Sequence, residues 1–518
     1  MHRAILTSLL LAVSGAAFVS GAATCDIKDY GATGRKSELA TGSIARAIDD
    51  CASKGGGTVV VPPGEYTSGT IRLKSHITLR LEPGATIFAS LEDRDFEPGL
   101  KTALIFGENL ENIGIEGRGT LDGQASYDWR LMDFDDAFIR ENMLLWKSMG
   151  KPLLRSFPKR IAEKGALYPK LVLLLRCKDV RITGVSMLHS RSWTLNPYGC
   201  ERVVIDGIHI VSSLKDAVWA DGIDPDGCKD VRISNSTVET GDDALVFYSM
   251  DWFGPALPCE NITVTNCRLS SASSAIKFCD GIKNSVRRVT ISNVVITDSN
   301  RGIAFMNFDG GTVSDVVMSN ITIDTTRHDW FWWGDGDPIH FNIKRRSQID
   351  GHPVENEPAA GKIRNVILRD IVAHGQGMSQ IHGHPDSWLE NVTIENLKLF
   401  LTNAPDNAME KATSALHVRW ARNLRMRDVE VHWGEPASKK WSTAIDAEDV
   451  TDSEWENLAV RPAKDAATTP AIRLAKAERI TIRNPRLLPG VPILIDIEKA
   501  HTKDIEVIGA PEKQVRRR

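Results

Sequence analysis

The chain has 518 residues, 42% of them hydrophobic and 25% charged, which is ample for a large packed core and excludes global disorder. Its 63 basic and 67 acidic residues leave a formal net charge of -4, so it carries no basic footprint for nucleic acid, and Arg516-Arg517-Arg518 is too short a run to supply one. Beyond the N-terminus no segment is apolar enough to span a bilayer, and no Cys or His spacing resembles a zinc site.

His2 and Arg3 open the chain with weak positive charge, Ile5 to Val19 is apolar, and Ser20-Gly21-Ala22-Ala23 offers small residues for cleavage. Residues 1–23 therefore read as a secretory signal peptide, which predicts a secreted or periplasmic protein. The apolar run is short and broken by Ser14 and Gly15, which argues against a membrane anchor. Residues 24–518 are expected to form one domain. Within it Ser43 to Ser53 has helical spacing (Ile44, Ala47, Ile48, Cys51) and is expected to cap one end of a repeat array. Residues 124–166 carry Trp129, Phe134, Phe138, Trp146 and Phe157 and interrupt the repeat; they read as an inserted loop region walling a cleft.

One pattern then recurs: a small or apolar residue, two polar residues, and alternating apolar positions. It is seen in Cys177-Lys-Asp-Val-Arg-Ile-Thr-Gly, Cys200-Glu-Arg-Val-Val-Ile-Asp-Gly, Cys228-Lys-Asp-Val-Arg-Ile-Ser-Asn and Cys259-Glu-Asn-Ile-Thr-Val-Thr-Asn. Further copies start near Leu110, Val286, Val313, Ile363, Leu389, Ala421, Val450 and Ala477, and residues 400–518 read as C-terminal coils. Period-two alternation means short strands, and short strands at a fixed long period mean a solenoid. Helical periodicity is scarce, so the fold class is all-β, a parallel β-helix with a short N-terminal capping helix. Asn235, Asn266, Asn293, Asn320 and Asn396 fall at one offset of the repeat, where stacked amides would satisfy buried backbone groups. Four of the eight cysteines share the repeat start and are expected to be stacked thiols. Cys25 with Cys51, and Cys267 with Cys279, are disulfide candidates.

The gap between Val313 and Ile363 is about twice the usual period and holds either a skipped coil or a large loop. Coils in register bring equal offsets together. Counting a fixed offset from each repeat start predicts Ser192, Asp243, Ser274, Arg301 and His328; in the Cys200 coil the offset is stretched, and Asp221 joins the file because it lies in the matching apolar-bounded strand, with Asp242 beside Asp243. A polar file on a solenoid face suits an extended-chain ligand. Adjacent Asp242 and Asp243 cannot both ionise freely, so one is expected to keep a proton and act as general acid while Asp221 and the other activate a water. That division of labour is the inverting arrangement for glycoside hydrolysis. A calcium site or a solvated turn is the alternative for these carboxylates.

Several segments resemble the polygalacturonase-like glycoside hydrolases of family 28. They are Asp29-Tyr30-Gly31-Ala32, Gly55-Gly56-Gly57-Thr58-Val59-Val60-Val61-Pro62-Pro63-Gly64-Glu65-Tyr66, Ser192-Trp193-Thr194-Leu195, Trp219-Ala220-Asp221 and Gly241-Asp242-Asp243. The resemblance covers most of residues 25–340. It implies a right-handed parallel β-helix, catalysis by Asp221, Asp242 and Asp243, no cofactor and no metal, and a polysaccharide or oligosaccharide substrate handled by a monomer. The chain departs from the family at three places. Trp219 stands where the family has Asn, Ser273-Ser274-Ala275 replaces its Gly-His-Gly, and Ala304-Phe305-Met306 replaces its Arg-X-Lys grip on a substrate carboxylate. Arg301, Lys277 or Lys344 are candidates to replace that grip, unless the sugar is neutral.

Asp329-Trp330-Phe331-Trp332-Trp333 is a further candidate, since aromatic faces stack on sugar rings. The expected substrate-binding residues are Arg301, Lys277, His328, Trp332 and Trp333. The expected function is an exported glycoside hydrolase that cleaves a pectin-like or related polysaccharide by an inverting, aspartate-based mechanism. The alternatives are a polysaccharide lyase on the same fold and a non-catalytic carbohydrate-binding β-helix.

Overall fold

The computed structural model describes residues 23–125, 169–215, 217, 219–328, 334–349, 352–403, 412–464, 467–486 and 490–518. The segment expected to be a signal peptide, residues 1–23, lies outside them except for Ala23, as do all but the first two residues of the expected insertion at 124–166. The chain winds as a right-handed parallel β-helix, the architecture that the repeat and the resemblance implied.

Each coil lays its strands directly on those of the next. Lys178 pairs with Glu201, Glu201 with Lys229, and Lys229 with Glu260. Cys259, Val286, Val313 and Ile363 follow one another in the same way, as do Leu389, Ala421, Val450 and Ala477. Alternation decides which side chains enter the core: in Lys229–Ser234, Val231 and Ile233 are buried while Lys229, Asp230 and Arg232 are exposed. Val313 pairs with Ile363 itself, so the long gap hides no skipped coil. Within the gap the strand Asp337–Ile343 continues the sheet one coil beyond Arg301–Asn307.

Two left-handed positions per coil make the bends. The second polar residue of the repeat has φ 54° at Asp179, 58° at Asp230 and 60° at Asn261, and the asparagine offset has φ 53° at Asn235 and 56° at Asn266 and Asn293. Asn and Asp tolerate this region better than most residues, which accounts for the recurrence of the type. The amides do stack: Asn266 Nδ2 donates to Asn235 Oδ1 at 3.3 Å, Asn293 to Asn266 at 3.3 Å, and Asn320 to Asn293 at 3.2 Å. The ladder is solvent-exposed, however, so it serves the corner conformation rather than buried backbone groups.

Inside, Phe247, Phe278, Phe305 and Phe341 stack coil upon coil with ring centroids 5.1, 4.4 and 4.3 Å apart. Cys177, Cys200, Cys228 and Cys259 form a second buried column, and the Cys228 thiol donates to the Pro197 carbonyl at 3.2 Å. All eight cysteines are free, which corrects both disulfide candidates. Cys267 packs in the solenoid core whereas Cys279 lies outside it with Trp193 and Tyr248, so the two face apart. Cys25 and Cys51 are buried thiols, and Cys51 Sγ is directed to the carbonyls of Ala23 and Thr58. The helix Thr41–Ser53 buries Ile44, Ala47, Ile48 and Cys51 against the first coils and covers the end of the core. Among the described residues no helix is long and apolar enough to cross a membrane.

Candidate active site

One sheet of the solenoid presents its outer face as a polar groove. Its core positions Val172, Leu195, Ile223, Leu245, Ile276, Ile303 and Ile339 are in register from coil to coil. Two residues before each lies the file Lys170, Trp193, Asp221, Asp243, Ser274, Arg301, Asp337, at about 4.8 Å per coil. One residue after each runs a parallel file of Leu173, Asn196, Asp224, Val246, Lys277, Ala304 and His340. The sequence-based file is thus found for Asp221, Asp243, Ser274 and Arg301. Trp193 takes the place given to Ser192, and Asp337 the place given to His328. The sheet resumes only at Asp337, so a fixed count, which lands on His328, falls short of its true start.

Close backbone packing holds the carboxylates together. A Cβ at Gly241 would run into the carbonyl oxygens of Ala217 and Ser213, and one at Gly222 into that of Ala244. The Trp219 backbone, at φ 74°, donates its N–H to Asp242 Oδ2 at 3.1 Å, and the Asp243 N–H donates to Asp242 Oδ1 at 2.9 Å. Thr240 and Ser271 hydroxyls donate to the Asp242 carbonyl at 2.8 and 2.6 Å. Asp243 accepts the Ser274 N–H at 3.0 Å on one oxygen and the Lys277 ammonium at 2.8 Å on the other. The Tyr248 hydroxyl donates to Asp221 Oδ2 at 3.3 Å.

Burial pushes Asp242 up to about 7, with the charge of Asp243 adding to it and Lys277 and the two N–H donors opposing it. Burial likewise raises Asp221 well above the ordinary carboxylate range, helped by Asp242, Asp224 and Asp243. Lys277 is held charged: burial disfavours its charge, but Asp243 first and then Cys279, Asp280 and Asp242 outweigh it. The group is therefore a coupled carboxyl cluster that retains protons near neutrality beside an ion-paired carboxylate, the equipment needed to deliver a proton and to orient a water. Asp226 is also raised to about 7 by burial, but its Oδ1 accepts the Met250 N–H at 2.9 Å and anchors a loop.

Around the trio, Trp193 stacks on Tyr248 at 5.1 Å and on Trp252 at 4.8 Å. Lys277, its side chain 14% exposed, bridges Asp243 and Asp280, the latter at 3.5 Å. Arg301 is also buried, 3.7 Å from Asp337, with its guanidinium 3.9 Å from Met306 Sδ. His328 Nε2 lies 3.0 Å from the Asp298 carbonyl oxygen, off the file. Trp332 and Trp333 lie outside the described residues. Ala304, in register with Lys277 and His340, supplies no cation at its own step of that file. Among the described residues no His, Cys, Asp and Glu group is arranged to hold a metal ion.

The sequence reading passed over Lys170, Trp193, Asp224, Tyr248 and Trp252 as contributors to this groove. Asp224 was recoverable, since Asp224 and Asp226 alternate with core-facing Ile223 and Pro225. Lys170 was not, because its coil has no repeat signature of its own upstream of Cys177.

The profile of glycosyl hydrolases family 28 matches residues 51–412 of this chain. The chain is 26% identical over 419 residues to a probable polygalacturonase of Vitis vinifera, covering 76% of this chain and 77% of the relative. It is 22% identical over 395 residues to an endo-polygalacturonase of Pectobacterium carotovorum, covering 70% and 85%. Among solved structures, an exopolygalacturonase from Thermotoga maritima superposes with a TM-score of 0.62 at 22% identity, covering 79% of this chain and 92% of that one. A tailspike of E. coli bacteriophage HK620 gives a TM-score of 0.58 at 14% identity, covering 95% and 80%. These structural likenesses establish the β-helix.

Proposed function

The chain belongs to glycosyl hydrolases family 28, a membership from which we propose that it cleaves a pectin-like polysaccharide or oligosaccharide by inversion, with Asp242 as general acid. Asp221 and Asp243 hold and deprotonate the attacking water. The observation that carries the reading is the raised Asp242 carboxyl, at about 7, directly beside an Asp243 that is ion-paired to Lys277 at 2.8 Å. A proton donor for the leaving oxygen must still hold its proton near working pH, and burial beside another carboxylate achieves this. The water-activating pair sits one coil apart in the file, Asp221 above Asp243, so a water between them has two acceptors. Tyr248 orients Asp221 and Lys277 orients Asp243. The relatives named above are polygalacturonases, which supports a pectic substrate. The apolar stretch Ile5 to Val19, read as part of a secretory signal, supports action outside the cytoplasm.

The test is product analysis on galacturonan, rhamnogalacturonan and neutral oligosaccharides, with the Asp242→Asn protein beside the parent. Saturated reducing sugars that disappear in the variant support the reading. Unsaturated, ultraviolet-absorbing products would assign the chain to lyase chemistry, and binding without turnover to a carbohydrate-binding solenoid.

A further inference from the structure

Three aromatic rings lead from the catalytic carboxylates to the surface. Tyr248 donates its hydroxyl to Asp221 Oδ2 at 3.3 Å and stacks on Trp193 with ring centroids 5.1 Å apart. Trp193 stands one coil from Asp221 in the catalytic file and stacks on Trp252 at 4.8 Å. Tyr248 and Trp193 are buried, whereas Trp252 is 37% exposed, so a braced indole stands open beside the trio. Beyond Lys277 the groove is apolar as well, at Ala304 and the partly exposed Met306.

The described cations nearest these surfaces are committed within the protein. Lys277 bridges Asp243 and Asp280, Arg346 bridges Asp280 and Asp309, and Arg301 is buried 3.7 Å from Asp337. Lys170 is buried with its ammonium over the Trp193 ring, 5.1 Å from the centroid, and Lys344 lies over the Phe308 ring at 5.4 Å. Carboxyl groups are in surplus: Asp221, Asp224 and Asp243 are buried close to Asp242. Burial first, and then the neighbouring carboxylates, push Asp221, Asp224 and Asp242 above the ordinary range. A uronate seated here would add one more carboxylate to a cluster that already keeps protons, and like charges brought together discriminate strongly against a ligand. A neutral pyranose avoids that repulsion. Its C–H face suits the indole and the apolar step, and its hydroxyls can meet the carboxyls.

We propose that the sugar this groove holds against Asp221, Asp242 and Asp243 is a neutral pyranose, seated with its C–H face on Trp252. The assignment rests on the glycosidase reading and narrows its substrate to a neutral residue of a pectin-like chain. Trp252 is then the residue that selects the sugar, and the paired cations serve the catalytic carboxylates rather than a substrate carboxylate.

The test is calorimetric binding of trigalacturonate and of carboxyl-reduced trigalacturonate, in the Asp242→Asn background so that the ligands survive. The protein should bind the reduced trisaccharide at least about tenfold more tightly than the acidic one, with the gap narrowing as salt screens the repulsion. Trp252→Ala should weaken binding of the reduced ligand by about tenfold or more, and Trp252→Phe, which keeps an aromatic face, should retain most of it. Equal affinity for the two ligands, tighter binding of the acidic one, no binding of the reduced one, or full affinity in Trp252→Ala would overturn the assignment. If Trp252→Ala does not fold, the preference, its salt dependence and the Trp252→Phe affinity decide. Turnover of galacturonan and of carboxyl-reduced galacturonan by the parent is scored separately. A neutral preference without hydrolysis of either removes the hydrolase reading and leaves the assignment, and hydrolysis with an acidic preference does the reverse.

Discussion

Replacing Asp242 by Asn should make the protein more stable, and increasingly so as pH rises. Asp242 is held at about 7 in the folded chain against an ordinary value of 3.8, a difference of about three units. Each unit corresponds to about 1.4 kcal/mol, so the ionised group destabilises the fold by roughly 4 kcal/mol once the pH is above both values. The sign follows from proton counting. Below 3.8 both states hold the proton and there is no cost. Between 3.8 and about 7 the unfolded chain releases it and the folded chain keeps it, so stability falls as pH rises, and the loss levels off above 7. Asn carries no such cost, but its amide nitrogen must face one of the two N–H groups, of Trp219 or Asp243, that the carboxylate accepts. That mismatch costs about 1–3 kcal/mol. The variant should therefore lie near parity with the parent at pH 5 and lead by roughly 1–3 kcal/mol at pH 8. With an unfolding entropy of about 2 cal/mol/K per residue, this corresponds to a Tm gain of about 1–3 K. Scanning calorimetry of both proteins from pH 5 to pH 8 gives the readout. A Tm difference that stays flat over this range, or moves in favour of the parent at high pH, would refute the assignment of Asp242 as a carboxyl whose proton the fold retains.

Three further outcomes are expected. The kcat/KM of hydrolysis should fall as pH rises through about 7, because Asp242 must be protonated to act as the acid; a profile level to pH 9 would contradict this role. Lys277→Met removes the cation on Asp243 and leaves a buried carboxylate unpaired, so it should cost about 3–5 kcal/mol of stability and at least 100-fold in kcat, read by urea denaturation and initial rates. Asn266→Ala, at φ 56° on the exposed ladder, should cost about 1 kcal/mol, whereas Asn266→Gly should cost less because glycine adopts that backbone readily.

The coil was legible because its information is local. Alternation in Lys229–Ser234 and its counterparts marks the strands, and equal spacing aligns Cys259 with Val286 and Val313. The repeat register also sets Asp243, Ser274 and Arg301 in one line, and the matching apolar-bounded strand adds Asp221. It failed where chain length and coil geometry part company, at Trp193 in place of Ser192 and at Asp337 in place of His328. It also missed what depends on the third dimension. That Lys277 turns to Asp243, that Tyr248 reaches Asp221, and that the asparagine ladder is exposed are all set by which face of a strand meets solvent or a neighbouring loop. Cysteine pairing failed for the same reason, since Cys267 and Cys279 are close in sequence but face opposite sides of the sheet.

The central claim is that Asp242 protonates the leaving oxygen while Asp221 and Asp243 deliver water from the opposite side. Proton NMR of the first-formed product, recorded on whichever pectic oligosaccharide the parent cleaves, tests it most directly. The account predicts a saturated sugar released with inverted anomeric configuration and no detectable product from Asp242→Asn. A first product of retained configuration, an unsaturated product, or unimpaired cleavage by Asp242→Asn would contradict it.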